Sequence, residues 1–261
     1  MYFLVFDVLI MNKFLIHKLI TLLKIINSIY YQIKIQLIFF LFYKKKNYIN
    51  IFTQELSKNG YVKLKNIIPR DVIDKLLLNY RNQILSETNN LKNGYLIDIS
   101  LKYNDVKDFF QYFEKNKIFN VCKEYLGNFE ILNCKINHQT EKDFDTSSMQ
   151  PHHDTRGNDL KIYVWMSDYN EKSHPLYYLK GSHNNWKFYI TENHHRRKDI
   201  LKEKMDKVYG DKGDLILFDT HGWHSHIKKN TVERTVLELT IIPNNYFFCS
   251  EATGQSSFNQ I

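Results

Sequence analysis

Alanine is all but missing from this chain: Ala252 is the only one among 261 residues, and lysine outnumbers arginine 30 to 6. That bias is the mark of a gene poor in G and C. The abundant Ile, Lys and Asn therefore carry little structural information, and each Arg, Pro and Gly carries more. Four prolines and nine glycines are too few for a collagen-like or linker-rich protein. Cys122, Cys134 and Cys249 form neither an even set nor a CxxC pair, which excludes a disulfide framework or a thiolate zinc site and fits a reducing compartment, the cytoplasm. No apolar run reaches the ~18 residues of a membrane-spanning helix. What remains is ordinary globular composition, 43% hydrophobic and 25% charged, with length enough for one large domain and an appendage.

The net charge of +8 is unevenly spread. Residues 1–46 hold seven lysines against Asp7 alone, and residues 47–261 carry 29 basic against 27 acidic groups. A nucleic-acid groove needs a basic stripe on the folded domain, so no nucleic-acid partner is expected. Between Lys13 and Ser28 the polar residues fall at helical spacing among Leu and Ile, which predicts an amphipathic helix with a cationic stripe. Three readings are open for it: an anchor on an anionic membrane surface, with peripheral contact through residues 13–46, a helix packed on the main domain, or an over-extended start with Met11 as the true beginning. The scarcity of small residues in 1–46 speaks against a cleaved signal peptide.

From Asn50 onward the pattern is globular. Tyr61–Leu64 reads as a strand after the turn Asn59-Gly60, and Pro69 opens a helix whose Val72, Ile73, Leu76, Leu77, Tyr80 and Ile84 share a face. Helices are predicted over Asp105–Glu114 and Ile118–Leu126, the second stopped by Gly127. The period then changes, with short strands over Phe129–His138, Leu160–Ser167, Leu176–Leu179, Leu215–Phe218 and Thr235–Ile242. The polar stretch 184–209, read as helical near its end, is either a lid over a site or a solvated insertion.

Ten of the eleven histidines lie after residue 137. His152 and Asp154 are spaced i, i+2, so on extended backbone both side chains leave one face and can converge on one ion. The segment Phe218-Asp219-Thr220-His221-Gly222-Trp223-His224-Ser225-His226 offers a third ligand. Two His and one carboxylate on one side of an ion leave the other positions open, the arrangement a non-haem Fe(II) oxygenase needs. Arg234 follows at the start of the last strand, where a guanidinium can clamp a carboxylate.

These pieces, with Asn59-Gly60-Tyr61-Val62, Pro175-Leu176-Tyr177-Tyr178-Leu179-Lys180-Gly181-Ser182-His183, Gly213-Asp214-Leu215-Ile216-Leu217-Phe218-Asp219 and Asn230, run in order over about residues 53–242. Together they resemble the phytanoyl-CoA dioxygenase-like family of Fe(II)- and 2-oxoglutarate-dependent oxygenases. The resemblance implies an α+β fold with a mainly β core, a double-stranded β-helix (jelly roll, cupin-like) with flanking N-terminal helices over residues 47–261. It implies Fe(II) on His152, Asp154 and His224, 2-oxoglutarate on Arg234 with Gln139 and Lys161 as weaker candidates, and O₂ as oxidant. The expected reaction is hydroxylation of a small organic or lipid-like substrate with release of succinate and CO₂. His152 is favoured over His153 because the carboxylate follows two residues later, and His224 over His221 and His226 by its spacing to Phe218 and Arg234. His183 is expected to structure its loop. The chain departs from the family pattern where Lys180 replaces a proline and Ser173-His174 replaces Asn-Gly. Two rival functions keep the fold: a cupin-type metal-dependent hydrolase or isomerase, and a non-catalytic membrane-associated binding protein.

Overall fold

The computed structural model describes residues 48–90, 96–140, 151–154, 159–168, 175–184, 204–226 and 233–244. The amphipathic segment 1–46, most of the 184–209 stretch, Ser173-His174 and Asn230 lie outside the described residues. No described helix is long and apolar enough to cross a membrane.

The chain enters through helix α1 (Ile51–Asn59), started by Asn50, whose side chain accepts a hydrogen bond from the Phe52 amide, and ended by Gly60 in the left-handed region at φ 84°. Strand β1 (Tyr61–Leu64) leads to α2 (Arg70–Asn90), β2 (Leu96–Ser100), α3 (Tyr103–Lys115) and α4 (Ile118–Leu126). The remainder is β: β3 (Phe129–Gln139), β4 (Leu160–Trp165), β5 (Leu176–Tyr178), β6 (Asp206–Val208), β7 (Leu215–Asp219), β8 (His224–His226) and β9 (Arg234–Pro243). Of the described end of the 184–209 stretch, Lys204 is helical and Asp206–Val208 form strand β6. Its Val208 is buried between the sheets, a placement that pairing with β5 fixes and propensity alone does not.

Two antiparallel sheets result, one of six strands in the order β1-β7-β4-β9-β3-β2 and one of three in the order β6-β5-β8. Period-2 alternation sorts the large sheet into two faces. One face sends Val62, Leu217, Ile162, Leu239, Ile136 and Ile99 into a single apolar cluster with Phe109 and Phe113 of α3, Ile118 of α4 and Leu56 of α1. The other face sends Tyr163, Trp165, Ile216, Phe218 and Val236 toward Leu176, Tyr178 and Val208 of the small sheet. The fold is a double-stranded β-helix with a helical layer outside its larger sheet. The strand registers decide which polar side chains share the inner face: Gln139 lies opposite Arg234, Lys135 opposite Glu238, and Tyr163 opposite Glu238.

Candidate metal centre

The HxD segment is held by a single antiparallel bridge to β8: the His152 amide donates to the His224 carbonyl at 2.9 Å and the His224 amide to the His152 carbonyl at 2.8 Å. The Asp154 amide donates to the Thr220 carbonyl at 2.9 Å. These backbone bonds bring one ligand atom from each of His152, Asp154 and His224 within 4.8 Å of one another, the one such group of three among the described residues. His152 Nε2 lies 3.9 Å from Asp154 Oδ1, and the two imidazoles are 4.4 Å apart. His224 is buried, whereas the side chains of His152 and Asp154 are 31% and 28% exposed, so the cluster opens on one side.

His224 and Asp154 are in the protonation states a divalent ion requires. Burial, reinforced by His152, pushes the His224 imidazole down to about 3, so it is neutral. Its Nδ1 donates to the Gly222 carbonyl at 2.9 Å, which fixes the tautomer and leaves Nε2 as the lone-pair donor. Burial alone would raise the Asp154 carboxyl, but Lys161 and then His224 hold it below its usual value, so it is charged. Two imidazoles, that of His224 neutral, and one charged carboxylate, open on one face, fit a facial two-His, one-carboxylate site for a divalent metal.

The neighbouring histidines are otherwise engaged. His153 turns away from the cluster to meet the Trp223 ring edge-on at 5.2 Å. His221 is bound to Asp219, which accepts from its backbone amide at 2.9 Å and its Nδ1 at 3.2 Å, while Tyr125 donates to the other carboxylate oxygen at 2.7 Å. Those bonds overcome the effect of burial and draw Asp219 down to about 2. The side chain of His226 lies outside the described residues. His183 Nε2 is 3.0 Å from the Ser57 carbonyl, a contact that ties its loop to α1.

The turn that delivers His224 is clamped from below. Ser182 Oγ accepts from the Trp223 amide at 2.8 Å, the Leu179 amide donates to the Trp223 carbonyl at 2.9 Å, and Tyr178 donates to the Asp219 carbonyl at 2.7 Å. The Gly-Ser-His stretch therefore acts on the site through the Ser182 hydroxyl, which holds the backbone of the turn, not through its own histidine.

On the inner face, Arg234 is 2% exposed and stands opposite Gln139, itself buried. Lys161 donates to Asp154 Oδ2 at 3.1 Å and lies 3.8 Å from Glu238 Oε1. Burial would lower the Lys161 ammonium, but Glu238 and Asp154 raise it above its ordinary value. The phenol of Tyr163, buried and facing Glu238, Arg234 and Asp154, is held far above its ordinary value. Sequence reasoning missed Glu238. Its signal was a carboxylate inside the apolar run Thr235–Ile242, in phase with Arg234 on a strand.

No protein-family model matches this chain, and no curated protein matches it by sequence. Solved structures do match in fold. EctD from S. alaskensis with bound Fe superposes with a TM-score of 0.58 at 16% identity, over 78% of this chain and 81% of that one. HygX from Streptomyces hygroscopicus with nickel and 2-oxoglutarate bound gives a TM-score of 0.52 at 13% identity, over 76% and 88%. The epimerase SnoN in complex with Fe3+, alpha ketoglutarate and nogalamycin RO gives 0.51 at 12% identity, over 73% and 82%. At these identities the likeness extends to the shared double-stranded β-helix.

Proposed function

We propose that this chain is an Fe(II)- and 2-oxoglutarate-dependent oxygenase that hydroxylates a small organic substrate and releases succinate and CO₂, a member of the phytanoyl-CoA dioxygenase-like branch. The observation that carries the reading is the convergence of His152, Asp154 and His224 on one point, open on one side, at the end of a barrel whose inner wall carries a buried arginine. Neighbours of the same fold hold Fe, or nickel with 2-oxoglutarate, in their structures. Bound Fe(II) would supply the activation of O₂ and the oxidising power.

The protein's own part is placement. His152, Asp154 and His224 would hold the ion and leave adjacent positions for co-substrate and O₂. Arg234 would clamp the distal carboxylate of 2-oxoglutarate bidentately, with Gln139 as its neighbour across the β3–β9 pairing. The aromatic lining of Tyr163, Trp165 and Phe218 keeps water from the inner wall. Substrate is held with its C–H bond near the metal on the open side, where proximity contributes to rate.

Adding Fe(II) and 2-oxoglutarate to the protein without oxygen should produce the visible charge-transfer band of the chelate, and His224→Ala should not show it. Admission of air should release succinate. A hydrolase or isomerase of the same fold binds the metal and gives neither result, and a binding protein gives metal affinity with no turnover across a broad substrate panel.

A further inference from the structure

We propose that Lys161 is a positioning residue for the metal ligand Asp154, held in place by Glu238, rather than an anchor for the co-substrate. The inference rests on the metal-centre reading above. The two oxygens of Asp154 have different neighbours. Oδ1 is the one nearest His152 Nε2, at 3.9 Å, while Oδ2 accepts a charge-assisted hydrogen bond from Lys161 at 3.1 Å. An ammonium on Oδ2 makes the carboxylate present Oδ1 alone to an ion. One more coordination position is then left open than a bidentate carboxylate would allow.

Lysine is a flexible point charge on a long stem, so its ammonium needs a second holding point. Glu238 supplies it. This carboxylate is 4% exposed, and its Oε1 lies 3.8 Å from Lys161 and 3.7 Å from Lys135, whose ammonium reaches Asp98 at 3.1 Å. Tyr163, directly opposite on β4, also hydrogen-bonds Glu238. Asp98, Lys135, Glu238, Lys161 and Asp154 thus form an alternating chain of charges across the inner face, from the strand at the sheet edge to the metal ligand. In such a chain each ammonium has carboxylates on both sides, and Lys161 is engaged before any co-substrate arrives.

The test is Co(II) absorption of the full chain with 2-oxoglutarate absent, so that no co-substrate contact contributes. Lys161→Met is expected to alter the shape of the cobalt d–d bands, because Oδ2 is released to the ion, and Lys161→Arg, which keeps a cation there, to return the wild-type shape. Glu238→Gln, which frees the ammonium without removing it, is expected to shift the bands in the same direction by less, and it carries the test if the Met variant does not fold. Wild-type bands in both Lys161→Met and Glu238→Gln, together with weakened 2-oxoglutarate binding in Lys161→Met, would overturn the proposal and make Lys161 a co-substrate anchor. A wild-type protein that binds Co(II) no better than His224→Ala would instead remove the metal centre itself.

Discussion

Gly222→Ala should damage both stability and metal binding, although its backbone conformation accepts alanine. Gly222 is not among the glycines with positive φ. On backbone grounds alone the change should stabilise by about 0.4–1 kcal/mol, by restricting the unfolded chain. Sterics reverse this. A Cβ built on Gly222 meets Tyr178 Oη at 1.8 Å and Cζ at 2.3 Å. Tyr178 cannot swing aside freely, because it is fully buried, lies against Tyr61 and Phe218, and donates to the Asp219 carbonyl at 2.7 Å. Overpacking costs about 1–3 kcal/mol, and parting the buried hydroxyl from its carbonyl costs about 1–3 kcal/mol more. Set against the backbone gain, a net loss of about 1–5 kcal/mol follows, read in urea or as a Tm lowered by roughly 2–20 °C in a protein of this size. Because the Gly222 carbonyl holds His224 Nδ1, Co(II) affinity should fall about 10- to 100-fold. Combining the change with Tyr178→Ala should recover part of the steric cost as a favourable coupling energy. A Gly222→Ala protein as stable as wild type would refute the packing argument, and one that is destabilised but binds cobalt normally would refute the link from turn to ligand.

Arg234→Ala should raise the 2-oxoglutarate requirement about 30-fold or more, from the roughly 2–5 kcal/mol lost when a desolvated charge pair is broken; an unchanged apparent affinity in a succinate assay moves the anchor elsewhere. Metal-free protein should lose stability as pH falls from 6.5 toward 4, since His153 (about 4) and His224 (about 3) have folded values below their ordinary 6.5, and such groups contribute stability above 6.5 that disappears through the folded value. His153 alone accounts for about 3 kcal/mol, partly offset by Asp159, which burial raises to about 6 and whose stabilising share is lost as pH rises; a flat urea midpoint over that window would contradict the assignment. Removal of residues 1–46, which carry seven lysines against one aspartate, should abolish binding to anionic vesicles at low salt while turnover persists, and full-length protein that ignores such vesicles would exclude a membrane anchor.

Long elements with a clear period were legible from sequence: α2, α3 and α4 carry apolar residues on one face, and β3, β4, β7 and β9 alternate or run apolar. Three kinds of element were not. Helix α1 buries only Thr53 and Leu56, too little for a stripe to stand out against a background rich in Ile and Phe. Strand β2 is five residues long, and its Ile97 and Ile99 gain meaning only beside β3. Strands β6 and β8, at three residues each, exist because β5 lies between them. The site divides in the same way. Three histidines within six residues compete for one role, and the structure separates His221 from His224 by a local bond to Asp219 that spacing does not reveal. Glu238 and the charge chain needed the register of four strands, β2, β3, β9 and β4, which no single stretch of sequence contains.

The departure at Lys180 shows how a loop can keep its place without the proline expected there. Proline holds such a turn by restricting the unfolded chain; lysine gives up that restriction. In its place Lys180 Nζ lies 2.9 Å from Asp206 Oδ2 and 5.9 Å from the centre of the Tyr61 ring, and Tyr61 donates to the same Asp206 oxygen at 2.9 Å. One carboxylate from β6 thus joins β1 to the Gly181-Ser182-His183 loop. The ion pair is half exposed, worth at most about 1 kcal/mol, so it cannot alone hold the loop. The larger contribution comes from beneath: a Cβ on Gly60 would meet Tyr178 Oη at 2.4 Å and His183 Nδ1 at 2.6 Å, which means that α1's last turn, Tyr178 and His183 are packed to contact. The Asn59-Gly60 turn at one end of the resemblance and the Gly-Ser-His stretch in its middle are therefore parts of one support, built under the turn that carries His224.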